Sequence, residues 1–335
     1  VLNAPSTDLA GKFHPHPTYF QTQARINYLI SHYLSFEILH DRLQELPKQY
    51  EQPHARAWAP VNWHAIAPDQ VIGVDLETFL SVVVGALDVE APIRDYSHVS
   101  WHYLKQIHAP MARFVGGTFA EDGSIVEIGL WEREERQHTP AFIKIYHQLT
   151  GQKIATKPSI VKNYNPSIDP REDLYRHGLH RVATEYGATG LYVWLMAHST
   201  GALQQVVAEM VQDEVNHFVK FWGWGQWAFP ESALTRLVGT VKSLSHQKRA
   251  VQSAPDSLSR SPRVQANYLV LGVDLVRTFR RVMGLMDWSS WSVLSKLEMT
   301  FTFTRVLLRM LVWSRQLTPE RLRGIFGEPR IQPRS

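Results

Sequence analysis

The sequence predicts an all-α fold: a four-helix bundle core with further helices flanking it. Three observations predict it. Apolar residues recur at helical spacing through long segments, and no alternating strand pattern stands out. Several of those segments are strongly apolar yet carry interior acidic residues. Two of them hold a matching Glu-x-x-His step, Glu135 to His138 in Trp131-Glu132-Arg133-Glu134-Glu135-Arg136-Gln137-His138 and Glu214 to His217 in Val211-Gln212-Asp213-Glu214-Val215-Asn216-His217. Residues three apart share a helix face, so each step aims a carboxylate oxygen and an imidazole nitrogen at one point. Two such helices, with one more Glu from each of two others, form a two-metal carboxylate site in a bundle core.

In chain order, residues 1–17 contain Pro5, Gly11, Pro15 and Pro17 and read as an extended lead-in. Tyr19 to about Leu46 reads as one helix, ended by Pro47. Residues 47–68 are an irregular link rich in Pro and Trp, and Asp75 caps a helix from Leu76 through Glu90. After Pro92 the helical pattern resumes from Arg94 to about Val115. Gly116, Gly117 and Gly123 mark a turn, and Ser124 to about Leu149 is the helix of Glu135 and His138. Pro140 predicts a kink or helix junction there. Gly151 to Pro170 has the length of a crossover. Glu172 to about His198 and Gly201 to about Trp222 are the third and fourth core helices, with Gly223, Gly225 and Pro230 closing the fourth. A short helix over 232–248, a linker over 252–262, helices over about 264–285 and 290–314, and a basic tail complete the chain. The organisation read is an N-terminal extension and helix over 1–68, the bundle over 69–230, and C-terminal helices completing the same domain over 231–335.

Composition narrows the chemistry. The chain has 335 residues, 44% of them hydrophobic, room for one large domain or two ordinary ones. There is no cysteine, which excludes disulfides, thiolate metal sites and Cys nucleophiles and leaves His and carboxylates as metal ligands. The net charge is +4, with the basic excess beyond about Val241, which suits an acidic partner. No Arg/Lys-rich run with interleaved aromatics points to nucleic acid, and no apolar run approaches the ~20 residues of a membrane span. Val1-Leu2-Asn3-Ala4-Pro5 lacks a basic region followed by an apolar core, so no signal peptide is expected.

The paired steps supply four ligands, and two single Glu residues must complete the set. Glu90 is one: it lies late in a strongly apolar helix, where an unpaired carboxylate is costly. Glu185 is the other, in the third core helix; Glu172 lies too near that helix's end. The candidate metal set is therefore Glu90, Glu135, His138, Glu185, Glu214 and His217. His98, His102, His108 and the remaining histidines lack such pairing and read as surface or core residues.

At these residues the sequence resembles the soluble stearoyl-acyl-carrier-protein desaturase family, ferritin-like di-iron carboxylate proteins. The resemblance rests on Glu134-Glu135-Arg136-Gln137-His138 and Asp213-Glu214-Val215-Asn216-His217, which match the family's Glu-Glu-x-x-His and Asp-Glu-x-x-His motifs. Leu87-Asp88-Val89-Glu90-Ala91-Pro92, Ala183-Thr184-Glu185-Tyr186-Gly187-Ala188-Thr189 and Trp58-Ala59-Pro60 look like further family segments. Coverage is roughly residues 35–225.

The resemblance implies a ferritin-like homodimer with two iron ions, manganese being the alternative, beside a narrow apolar channel. It implies O2-dependent formation of a cis double bond in an acyl chain carried by acyl carrier protein, with electrons from ferredoxin. Trp58 and Asp213 match parts of the family's electron route, which ends on a His ligand, here His138 or His217. Thr189 lies one residue beyond a family threonine on the oxygen side, where this chain has Ala188. The expected compartment is the cytoplasm, or the plastid stroma in a plant. Departures touch the surroundings and leave the ligands in place. Val215, Asn216 and Phe218 replace charged residues, Thr139-Pro140 replaces a Gly, and Gly116–Ile128 is an insertion. The helix of the acyl channel carries His98, Trp101, His102 and Tyr103. These keep open a related di-iron hydroxylase or N-oxygenase of a specialised metabolite, or a non-catalytic iron-binding bundle.

Overall fold

Capping side chains, more than prolines, divide this chain into helices. The computed structural model describes residues 16–105, 108–157, 170–228, 280, 284, 286 and 288–328, with backbone only for 170–180. The described residues are mostly helical. The predicted helices over 232–248 and about 264–285 and the linker over 252–262 fall outside the described residues, apart from Arg280 and Gly284.

The expected single helix from Tyr19 to Leu46 is two helices, α1 (Tyr19–Tyr33) and α2 (Phe36–Glu51). Ser35 breaks it: its Oγ accepts from the backbone of Ile38 at 3.2 Å and starts α2 afresh. Pro47 lies inside α2 and does not end it. The lost backbone donor is tolerated near the end of a helix whose Leu39, Leu43 and Leu46 are wholly buried. Asp75 caps α3 (Leu76–Glu90) as predicted, its Oδ1 accepting from the Thr78 backbone at 2.7 Å.

The segment expected as one helix from Arg94 to Val115 is α4 (Ile93–Leu104) and α5 (Ala109–Gly116). His108 caps α5 through Nδ1, which accepts from Met111 N at 3.0 Å, and Pro110 favours the helix start there. The helix expected from Ser124 starts only at Leu130, because a small hairpin precedes it. That hairpin pairs β1 (Thr118–Phe119) with β2 (Ile125–Glu127), antiparallel. Gly117 has φ +86°, and a Cβ there would lie 1.8 Å from the Glu127 carbonyl oxygen. Gly117→Ala is expected to lower unfolding free energy by at least about 1 kcal/mol in urea titration. Gly123→Ala, also at positive φ but in open space, is expected to cost less.

The junction expected near Pro140 falls at Arg136-Gln137, between α6 (Leu130–Glu135) and α7 (His138–Thr150). Both joining residues keep near-helical angles, so Glu135 and His138 still face together. Next come α8 (Pro170–Ala197) and α9 (Gly201–Ala228). Gly223 and Gly225 do not close α9; it runs through them. A Cβ on Gly223 would lie 2.3 Å from Leu43 Cδ1, so glycine there lets α2 and α9 approach closely. Beyond it, α10 (Val293–Ser314) packs on α8 and α1. In the expected tail, Thr318 caps a further short helix, α11 (Pro319–Phe326), through a bond from Arg321 N at 3.2 Å.

The tertiary contacts close a ring. Helix α3 lies against α7 and α8, α8 against α9, and α9 against α6 and α7. The turn between α8 and α9 is pinned to the segment leading into α3 by Thr200 N to Gln70 O at 2.9 Å and Ile72 N to His198 O at 3.0 Å. Trp131, Phe142, Trp194 and Phe218 are wholly buried around this ring. Each such side chain contributes about 1.5–3 kcal/mol by leaving water. No helix among the described residues is long and apolar enough to cross a membrane.

Candidate metal centre

The ring of helices carries buried acids and imidazoles on its inner faces. Each has a sequence reason for its place. Glu90 is the last residue of α3, one turn beyond the buried Val83, Ala86 and Leu87 stripe. Glu135 and His138 straddle the α6–α7 junction, Glu185 lies mid-way along α8, and Glu214 and His217 lie one turn apart on α9. All six side chains are buried.

Their ligand atoms converge into two groups, each within 4.8 Å. One group is Glu90, Glu135, His138 and Glu214; the other is Glu135, Glu185, Glu214 and His217. Glu135 and Glu214 belong to both. His138 Nδ1 lies 3.2 Å from Glu135 Oε2 and 3.1 Å from Glu214 Oε1. His217 Nδ1 lies 2.6 Å from Glu135 Oε1 and 3.8 Å from Glu185 Oε2.

Outside the cluster, each imidazole is held by its other nitrogen. His217 Nε2 contacts Glu134 Oε2 at 2.8 Å, and His138 Nε2 lies 3.4 Å from Asp213 Oδ2. A carboxylate on the outer nitrogen fixes the tautomer that leaves Nδ1 as a lone-pair donor to the interior. Asp213 also accepts from Trp58 Nε1 at 2.7 Å and from Arg56 Nε at 2.7 Å. Glu134 accepts from the Arg56 backbone at 2.8 Å and from Asn216 Nδ2 at 3.4 Å. Tyr192 donates its phenol to Glu90 Oε1 at 2.5 Å. The Arg181 guanidinium, one turn before Glu185, lies 5.0 Å from the Trp131 ring centre.

The electrostatics are those of a site short of positive charge. Burial, with the Glu135 carboxylate adding to it, pushes Glu90 up to about 8. The same two causes raise Glu185 to about 7 and lift Glu214 well above its ordinary value. Burial also opposes ionisation of Glu135, but the His217 and His138 imidazoles outweigh it and hold Glu135 below the usual carboxylate range. Burial disfavours charge on His138 and His217 too, and Glu135 overrides it, so both are raised. Protons thus fill the role that cations fill in a loaded site.

The inward atoms test the fit to a metal. His138 Nδ1, His217 Nδ1, Glu185 Oε2 and Glu214 Oε1 are buried, make no well-formed hydrogen bond among the described residues, and contact one another and Glu135 only as close ion pairs. Buried polar atoms are rarely left unbonded, and here they point into one cluster with the oxygen and imidazole donors that first-row metals take. These Glu and His residues could hold a metal ion. Comparison of the chain with protein-family models, with curated proteins and with solved structures finds no match in any of the three.

All six residues expected from the sequence as ligands come together in the interior. Of the other expected site residues, Asp213 joins Trp58 to His138, not to His217, and the Trp58 ring stacks 6.0 Å from the His138 ring. Thr189 is buried one turn beyond Glu185, and its Oγ1 has no hydrogen-bond partner among the described residues. Of the histidines read as surface or core residues, His98 and His102 are exposed on α4.

Sequence reasoning missed four contributors. Glu134 stands inside the first motif, where the spacing gives it no role of its own. Tyr192 lies seven residues after Glu185, two turns along one helix face, and Arg181 lies four before it; that spacing was the available signal. Arg56 lies two residues before Trp58, and in extended chain alternate residues face the same way.

Proposed function

We propose that this chain is a ferritin-like di-iron oxidase that desaturates a fatty acyl chain delivered on acyl carrier protein. The observation that carries the metal part is the pair of ligand groups sharing Glu135 and Glu214. Two divalent cations would balance the four carboxylates of Glu90, Glu135, Glu185 and Glu214. The ring of α3, α6–α7, α8 and α9 supports the ferritin-like bundle, since each member contributes ligands to one interior point. The acyl part rests on the motif resemblance.

The iron pair, once bound, would supply the power to reduce dioxygen and oxidise an unactivated C–H bond. The reaction removes two hydrogens from adjacent CH2 groups. Dioxygen takes them with two electrons and two protons and leaves as two waters. The protein's part is to hold its ligands and exclude water. Tyr192 fixes the Glu90 carboxylate, and Glu134 and Asp213 fix the two imidazoles. Trp58 is half-buried and reaches His138 through Asp213, a line along which an external donor such as ferredoxin would deliver electrons.

The two histidines of α4 do not count against an apolar substrate. His98 and His102 are exposed, while Ile93, Ser97, Ser100 and Leu104 form the buried face of that helix. Exposed Arg305, Arg321 and Arg323 on α10 and α11 suit an acidic carrier protein. A homodimer and a cytoplasmic or stromal setting belong to the same reading.

The test is direct. Metal-free protein titrated with Fe(II) is expected to bind about two ions per chain. With acyl carrier substrate, ferredoxin, reductant and oxygen, mass spectrometry is expected to find a product two hydrogens lighter. A product one oxygen heavier would replace the desaturase with an oxygenase. Many irons per chain with no product would make it a storage protein.

A further inference from the structure

We propose that Arg56 is the positioning residue of this centre, holding from one point outside the ring the two carboxylates that orient its histidines. The inference rests on the metal reading of the six-residue cluster and goes beyond it.

The two imidazoles come from different helices, His138 from α7 and His217 from α9. Their outer carboxylates are crossed over: Asp213 of α9 serves His138, and Glu134 of α6 serves His217. The two outer carboxylates themselves sit on different helices, Glu134 on α6 and Asp213 on α9. Among the described residues, Arg56 hydrogen-bonds to both. Its Nε donates to Asp213 Oδ1 at 2.7 Å, and its backbone N–H donates to Glu134 Oε1 at 2.8 Å. Its remaining guanidinium nitrogens engage the Glu209 carboxylate and, at 2.5 Å, the Glu209 carbonyl oxygen. The side chain is 14% exposed, so this fork of donors is spent almost wholly indoors.

The arrangement also divides the labour of Asp213. Arg56 occupies Oδ1, which leaves Oδ2 to face both Trp58 at 2.7 Å and His138 at 3.4 Å. Rotation of this carboxylate would trade those contacts, and Arg56 prevents it. The partly buried cation also offsets the charge of an otherwise enclosed acid. The two grips differ in kind. The grip on Asp213 is made by the side chain, and the grip on Glu134 is made by the main chain. Arg56→Gln removes the charged grip on Asp213 and keeps the main-chain bond to Glu134. Its effect should therefore fall on one half of the centre, the His138 half.

The experiment is a Co(II) titration of the metal-free full chain, followed by visible absorption, for the wild type, Arg56→Gln, Arg56→Lys, Asp213→Asn and Arg56→Gln/Asp213→Asn. Circular dichroism checks that each variant is folded. In Arg56→Gln one of two binding steps is expected to weaken about 10–100-fold, with the other changed less than about twofold. Arg56→Lys should recover part of the loss, since it keeps the charge but cannot grip Asp213 and Glu209 together. In the Asp213→Asn background, Arg56→Gln should add less than about twofold. Equal weakening of both steps, full additivity with Asp213→Asn, or an unchanged titration in Arg56→Gln would each overturn the proposal. Should Arg56→Gln fail to fold, a one-step loss in Arg56→Lys still supports it, and a wild-type titration in Arg56→Lys overturns it. A wild-type chain that binds no cobalt would overturn the metal reading itself, and this proposal with it.

Discussion

Glu135→Gln is expected to lose both metal ions and all turnover. Glu135 belongs to both ligand groups, with one oxygen 3.2 Å from His138 Nδ1 and the other 2.6 Å from His217 Nδ1. It is also the acid that the two imidazoles hold ionised against the pull of burial, so it needs no proton removed before binding. Glutamine keeps its volume and helix position and removes the charge. The expected loss of affinity at each position exceeds the roughly 10–100-fold typical of removing an outer partner of a ligand. Glu90→Gln and Glu185→Gln are informative contrasts, because each residue belongs to one group only. Those variants should keep one tightly held ion. Elemental analysis of dialysed protein gives the count: none for Glu135→Gln, about one for the single-group variants, and about two for the wild type. Two ions per chain in Glu135→Gln would sink its assignment as the shared ligand.

The second large effect is a steep dependence of metal binding on pH. Burial raises Glu90 to about 8 and Glu185 to about 7, and it lifts Glu214 as well. Glu135 raises both imidazoles. A group raised in the fold keeps its proton to higher pH and must release it to become a ligand. All five therefore act in one direction: metal binding expels protons and strengthens as pH rises. Each proton displaced is worth about tenfold in affinity per pH unit below the pKa concerned. The sign for the metal-free fold is opposite. A raised carboxyl in the fold keeps its full stabilisation below the unfolded value and loses it as pH climbs through the folded one, here through about 7 to 8 for Glu185 and Glu90. The rise in melting temperature on adding Fe(II) anaerobically should thus be much larger at pH 8 than at pH 6. An equal rise at both would show that these groups do not titrate as ligands.

The clustering of the six candidate residues was legible in the sequence because helices are periodic. Spacing of three puts Glu214 and His217 on one face, and a late acid in an apolar helix, such as Glu90, is costly to bury unless something binds it. The set survived even where the local expectation was wrong. Glu135 and His138 do not share one helix, yet the junction between them keeps helical angles and preserves the spacing. Helix ends were less legible. Pro47 and Gly223 look like breaks, but Pro47 sits near the end of a well-packed α2, and Gly223 sits where Leu43 leaves no room for a side chain. A residue's effect on a helix depends on what lies across from it, and one sequence does not state that.

By itself, the sequence determined the all-α class and singled out the six Glu and His residues that meet in the interior, because helical periodicity and the cost of burying an acid both follow from residue type and position. Tertiary structure alone decided which ligands are shared between the two groups and which histidine Asp213 serves. It also brought Arg56, remote in sequence from both, onto Asp213 and Glu134. These are contacts between segments up to 157 residues apart, and periodicity within a helix carries no information about them.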